Sequence, residues 1–179
     1  MKNLVFILLL SITAMAQGAT TLERDLEMAR NGDASAQYNL GVRYGNGRGV
    51  LQDDQEEVKW YRLAADLGYA SAQYNLGIMY QNGQGVLQDD KEAVKWYRLA
   101  AKHGDASAQN NLSASYYLGR GVLTNYIVSY SWINIARYNG HTGTDKIFKL
   151  LAEEMSNSDV SEAQALSKRC LESDYKDCG

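Results

Sequence analysis

Proline is absent from all 179 residues. No ring therefore removes an amide donor inside a helix, and turns must rest on Gly, Asn and Asp. Cysteine is nearly absent too. Cys170 and Cys178, with no histidine nearby, supply only half of a tetrahedral metal set. The two histidines, His103 and His141, have no neighbouring nucleophile to activate, so both read as surface residues rather than as a catalytic base. Positive charge is not in excess: 18 Lys and Arg stand against 21 Asp and Glu, a net charge of −3. A nucleic-acid partner would call for a basic patch or stripe, so that class is excluded. A long apolar run is missing as well. The longest, Leu4 to Ile12, falls short of the roughly 20 residues that span a bilayer.

That short run has the surroundings of an export signal. Lys2 precedes it, and Ala14-Met15-Ala16 follows as a small-x-small cleavage site. Residues 1–16 are expected to be a signal peptide cut after Ala16, with no integral membrane segment left after cleavage. No Cys follows the run to accept a lipid. The expected location is outside the cytoplasm, periplasmic or secreted. In an exported protein, a close pair such as Cys170 and Cys178 is expected to form a disulfide.

What the sequence has in quantity is repetition. The three tryptophans, Trp60, Trp96 and Trp132, lie 36 residues apart, and Gly32, Gly68, Gly104 and Gly140 keep the same interval. A period of 20–50 residues marks a solenoid, whose units bury apolar surface only against their neighbours. The units are 32–67, 68–103 and 104–139. The first two share 27 of 36 positions, and the second and third share 14. Residues 20–31 read as a capping helix, boxed by Thr20 and Glu23. Residues 140–179 read as a divergent capping helix pair, 144–155 and 158–171, carrying the cysteines.

Each unit reads as two helices. The first starts near Asp33, Tyr69 or Asp105, and Ala36, Gln37, Leu40, Gly41 and Tyr44 share one side of it. Gly41 recurs as Gly77 and then as Ser113. A helical glycine costs about 1 kcal/mol against alanine, so a close neighbour is expected there. Gly-x-Gly turns follow at Gly47, Gly83 and Gly119. The second helix opens on Asp53 with Glu56, or Asp89 with Glu92, spaced as capping boxes, and on Asn125 in the third unit. Val58, Trp60 or Tyr61, Ala64 and Ala65 form its apolar side.

The string Ala-Gln-Tyr-Asn-Leu-Gly-x-x-Tyr, then Gly-x-Gly-Val, Asp-Asp and Lys-Trp-Tyr-Arg-Leu-Ala-Ala resembles the Sel1-like repeat. It stands at residues 36–65 and 72–101, with a looser copy at 108–137. The resemblance implies an all-α, right-handed α-solenoid of antiparallel helix pairs related to tetratricopeptide repeats. It implies a non-catalytic scaffold that binds a protein or peptide on its concave face, with no cofactor. The resemblance implies one of the family's roles, as an adaptor in envelope signalling, a host-contact factor or a periplasmic inhibitor of secreted effectors; small exported members fit the last, and no residue here selects it. The Cys-x7-Cys pair is similar to that of cysteine-rich members, where a bridge closes a second helix. Glu57 departs from the pattern, because the family prefers Ala there, as at Ala93.

Several constellations could suggest chemistry. Ser173-x-x-Lys176 matches a nucleophile motif of penicillin-recognising enzymes, but its companion motifs are missing, and cysteine-rich relatives are linked with β-lactam binding. A β-lactam- or peptidoglycan-acting enzyme is the rival reading, and a structural homo-oligomer is a third. The Gly-x-Gly turns lack the strand and the Lys-Ser/Thr of a phosphate cradle. Asp53-Asp54 and Asp89-Asp90 lack calcium-loop spacing and read as helix caps, so no metal is expected. The favoured working surface is a stripe on the first helices: Ser35, Tyr38, Val42 and Asn46; Ser71, Tyr74, Ile78 and Asn82; and Ser107, Asn110, Ala114 and Leu118. Rings and amides in a row suit peptide contact.

Overall fold

The computed structural model describes residues 21–178. The expected signal peptide and Thr20, half of the expected N-terminal box, lie outside that range. Among the described residues the regular structure is entirely helical. Helix α1 covers residues 21–30. The three units follow as pairs: α2 (Ala34–Asn46) with α3 (Asp54–Asp66), α4 (Ala70–Asn82) with α5 (Asp90–Lys102), and α6 (Ala106–Leu118) with α7 (Tyr126–Tyr138). Then come α8 (Asp145–Glu154) and α9 (Asn157–Glu172). The pairs stack in series as a solenoid.

The caps explain why every repeat helix has 13 residues. Asp33 and Asp105 accept the amides of Ala36 and Ala108 at the start of α2 and α6. Gly47, Gly83 and Gly119 end the first helices in the left-handed region, at φ 64°, 68° and 69°. The expected boxes at Asp53 and Asp89 form only in part. Each carboxylate accepts two amides of the coming helix. The return bond is missing because the cap's own N–H is already used: Asp53 donates to the Tyr44 carbonyl at 3.1 Å, and Asp89 to that of Tyr80 at 2.9 Å. Glu56 and Glu92 pair with Lys59 and Lys95 instead. Those amide bonds close each hairpin, and Asn125 to Tyr116 repeats them in the third unit.

Within a hairpin, the small position of the first helix faces a ring. A β-carbon on Gly77 would stand 2.5 Å from the Tyr97 ring, and Gly41 faces Tyr61 in the same way. In the third unit the ring is replaced by Ile133 and the glycine by Ser113. Ser113 and Ser129 then exchange hydroxyl-to-carbonyl bonds of 2.8 Å across the pair.

Between hairpins, a buried glutamine does the joining. The side-chain amides of Gln37, Gln73 and Gln109 donate to the carbonyls of Ala29, Ala65 and Ala101, at 3.0, 3.0 and 3.1 Å. Each bond runs back eight residues, into the end of the preceding helix. The other amide atom accepts where it can. Gln73 Oε1 meets His103 Nδ1 at 3.1 Å, and Gln109 Oε1 accepts from Asn139 at 2.9 Å. At the equivalent place in the first unit stands Leu67, so Gln37 Oε1 is buried without a donor.

In the second and third units the second glycine of the turn allows close contact with the unit before. Gly85 lies against the Asp54 carbonyl and Gly121 against that of Asp90, each at the entrance of the preceding second helix. Around these joints Leu40, Leu76 and Leu112 are fully buried, each contributing about 1.5–3 kcal/mol. The indole N–H groups of Trp60, Trp96 and Trp132 are buried without an acceptor among the described residues.

The C-terminal end departs from the expected pair. Helices α8 and α9 both rest on α7 rather than folding onto each other. Helix α9 takes the place against α7 that α4 and α6 take against α3 and α5. Ser167 meets Ser131, 36 residues earlier, at 3.4 Å. The extra apolar residues of α7 answer this covering, with Ile133 and Ala136 packed on Leu151, Ile147 and Phe148. Helix α9 begins at Asn157, fixed by a reciprocal box between Ser156 and Asp159. Beyond it, Cys170 and Cys178 form a disulfide, and both are buried.

Two outcomes follow. Gly85→Ala should lower unfolding stability by about 2–4 kcal/mol, since φ is +66° and the new methyl meets backbone. Gly68→Ala, at φ +86° in open space, should cost only about 1–2 kcal/mol, and urea titration separates the two. Leu67→Asn should stabilise by about 1 kcal/mol, raising Tm by about 2–4 °C, because Asn139 in the same backbone conformation already makes the missing bond.

Candidate functional site

The first helices α2, α4 and α6 bring the anticipated stripe into register. Ser35, Asn46 and Asn82 are exposed. Tyr38, Val42, Ser71, Tyr74, Ile78, Asn110 and Ala114 are partly exposed, as is Ser107, and Leu118 is exposed. None is buried. The tyrosines, however, serve the packing as well as the surface. The Tyr38 ring stacks on Tyr61 with centroids 5.5 Å apart and leans on Tyr69 of the next unit at 5.0 Å. Tyr74 packs against Tyr97 at 6.1 Å. A half-seated ring loses little freedom when a partner arrives, which favours association.

A second row runs beside the first, and the helical wheel alone did not select it. Asn39, Asn75 and Asn111 occupy the same place in all three units. The Asn75 amide serves the Tyr61 hydroxyl, and Asn111 serves those of Tyr97 and Tyr74. Asn39, in the first unit, is exposed. The available signal was an asparagine kept mid-helix in every unit, although asparagine is a mediocre helix former. Two recesses pair this row with the stripe. Asn39 and Val42 line a cavity of about 260 Å³ with Asp25, Arg43 and Arg48. Asn111 and Ala114 line a smaller one of about 30 Å³ with Arg120. Arg43 is held by Asp25 at 2.8 Å.

Glu57 is the electrostatic anomaly of this region. Its carboxylate fills the space left by Gly45, where a β-carbon would collide with it. It accepts from the Tyr61 hydroxyl, yet Oε2 is buried without a partner. Burial pushes its pKa up, the Tyr61 hydrogen bond opposes that, and Asp54 adds to it. The second unit solves the same problem differently. Ala93 replaces Glu57, Gln81 replaces Gly45, and Tyr97 donates to Gln81 Oε1 at 2.5 Å. The tyrosine's acceptor has moved from one helix of the pair to the other. Burial raises Tyr61 most strongly and Tyr97 to about 12.

The remaining motifs resolve into structure. The Ser173 hydroxyl donates to the Cys170 carbonyl at 3.0 Å and accepts the Asp177 amide at 3.0 Å, so it closes the end of α9. His103 is exposed and its ring belongs to the glutamine joint. No described helix is long and apolar enough to cross a membrane.

Comparison with known proteins gives a consistent result. The family model for the Sel1 repeat matches residues 34–69, 70–105 and 106–141. A protective antigen of uropathogenic Escherichia coli that displays an SLR fold is 42% identical, with a TM-score of 0.66. That match covers 67% of this chain and 26% of the antigen, so the chain spans about a quarter of that relative's length. A Sel1 repeat protein from Oxalobacter formigenes is 36% identical over 72% of this chain and 97% of its own, with a TM-score of 0.68. Cysteine-rich protein B of Helicobacter pylori shares the fold at 20% identity and a TM-score of 0.56, over 73% of this chain and 98% of its own. No curated protein matches.

The half-buried Glu57 carboxylate makes a testable pH signature. A folded pKa above the ordinary 4.5 means that the stability Glu57 confers is complete below that pH and is lost as pH rises through the folded value. Glu57→Gln, which can still accept from Tyr61, should therefore stabilise the protein at pH 7. The gain should vanish near pH 4 in urea unfolding.

Proposed function

This chain belongs to the Sel1 repeat family, and from that premise we propose that it is a protein-interaction scaffold of the bacterial cell envelope. It takes a protein or peptide segment along the concave face formed by α2, α4 and α6. The observation that carries this reading is the double row on those helices: half-seated rings at Tyr38 and Tyr74, flanked by Asn39, Asn75 and Asn111. The rings offer broad rigid contact, and the asparagines can donate to and accept from a peptide backbone. The three-unit array holds these groups in place before binding, so little loop ordering opposes association.

Action outside the cytoplasm is supported by the expected leader and by the buried Cys170–Cys178 bridge, which an oxidising compartment would sustain. The relative described as a protective antigen of uropathogenic Escherichia coli is compatible with such a setting. A non-catalytic role is supported by the engagement of Ser173 in its own turn.

Photo-crosslinking in intact cells tests the proposal. A photoreactive residue at Asn46 or Asn82, both exposed on the first helices, should trap a heterologous partner. The same residue at Lys59 or Lys95, exposed on the second helices, should not. Asn46→Arg with Asn82→Arg, both at exposed positions, should reduce capture at least tenfold while helical content and Tm stay near wild type. Adducts from Lys59 or Lys95 alone would overturn the assignment of the face. Adducts of twice the chain's own mass would point to self-assembly instead.

A further inference from the structure

We propose that the chain carries a second site, separate from the first-helix groove: a cationic cavity that binds a small ligand through paired carboxylates. It is a recess of about 340 Å³ between α5, α7 and the C-terminal loop, lined by Arg98, Lys102, Trp132, Tyr175, Lys176 and Asp177. That volume suits a small ligand or two peptide side chains rather than a folded element. Three cations face one carboxylate there, in a chain whose net charge is −3. None of the three takes part in an ion pair among the described residues. A cavity of one sign in an oppositely charged molecule concentrates the counter-charge it lacks.

The cavity is built, and each wall has its own support. The Arg98 guanidinium lies over the Tyr116 ring, 5.6 Å from the centroid, and donates to the Tyr116 hydroxyl. That fixes the plane of a fork able to meet a carboxylate with two parallel bonds. Trp132 is 3% exposed and forms a rigid wall. The loop opposite is fastened twice, by the disulfide at Cys178 and by the Asn139 amide, which donates to the Tyr175 hydroxyl at 2.8 Å. Asp174 and Tyr175 hold φ values of 52° and 60°, unusual for residues with a side chain, so this loop shape is imposed by its attachments.

The chain contains its own control one unit earlier. Arg62 and Trp96 repeat Arg98 and Trp132, but Asp66 stands where Lys102 does. Helices α3 and α5 differ at only three positions, Gln55/Lys91, Glu57/Ala93 and Asp66/Lys102, and every change adds positive charge or removes negative charge. Lys95 covers the Trp96 ring at 5.6 Å. In the third unit the lysine is replaced by Ser131, which turns to Ser167. Among the three repeat units, the second helix thus gains positive charge in the unit that the disulfide loop covers.

The test follows the three indole N–H signals by NMR, assigned with Trp-to-Phe variants, in the full disulfide-bonded chain. Titrants are citrate, the peptide N-acetyl-Glu-Glu and inorganic phosphate. Citrate or the peptide should shift the Trp132 signal and leave Trp60 in place, with an affinity that falls as salt is raised. Arg98→Gln with Lys102→Gln should weaken binding at least tenfold, and Lys102→Gln with Lys176→Gln should weaken it at unchanged Tm because both lysines are exposed, whereas Lys59→Gln with Lys95→Gln should bind as wild type. Response to citrate identifies a free small acid as the ligand class, and response to the peptide alone identifies an acidic segment. If neither shifts Trp132 at millimolar concentration, or if phosphate binds as well as both, or if the Arg98 and Lys102 variant binds normally, the proposal is wrong.

Discussion

A buried glutamine fixes the place of each helical hairpin on the one before it. Apolar packing alone tolerates sliding, because leucine and alanine surfaces have no preferred partner atom. A side-chain amide that must reach a particular carbonyl, in a space closed to water, does not tolerate it. Gln37, Gln73 and Gln109 each reach back eight residues to the terminal turn of the previous helix, and the leucines that follow them are then carried to full burial. The spacing of the whole array, and hence of the groups on its accessible face, is inherited from these three bonds.

The period, the paired helices and the close approach at Gly41 and Gly77 were legible in the sequence, because each leaves a mark that recurs every 36 residues. Features that depend on a partner distant in sequence were not. The hairpin-closing amide bonds at Asp53 and Asp89 compete with the expected capping boxes, and nothing local shows which partner wins. The seating of α9 on α7 in the manner of a further first helix depends on the surface α7 offers after the regular repeats end. Glu57 departs from the family's Ala, and the room for it comes from Gly45 on the other helix of the pair, a pairing that no local signal marks. The stripe from Ser35 to Ala114 was legible as a surface but not as a packing layer, since a wheel does not reveal that Tyr38 leans on the unit ahead. The asparagine row recurs with the period, but a polar residue on a helix also suits a solvated face, so repetition alone does not show that it serves the tyrosine hydroxyls.

The two proposed sites divide the molecule by helix type. First helices present rings and amides without dominant charge. Second helices carry the charge differences, concentrated at α5 beside the disulfide loop. The first surface suits extended contact with a polypeptide, and the second suits a compact acidic group. Because the same arginine that braces Tyr116 at the joint of α5 and α6 also faces the cavity, recognition there rests on a residue the fold already holds still.

The interlocking turns also bear on descent. Gly85 and Gly121 rest on the helix entrance one unit behind, while α1 covers one end of the stack and α8 and α9 the other. A new hairpin cannot be tacked onto either terminus without uncovering a cap. It can be slipped into the middle, provided the inserted stretch is a whole multiple of the period. The near identity of the first two units, 27 positions in 36, is what such internal gene duplication would leave behind. The array can thereby lengthen by whole units while α1, α8 and α9 keep their contacts with the outer repeats.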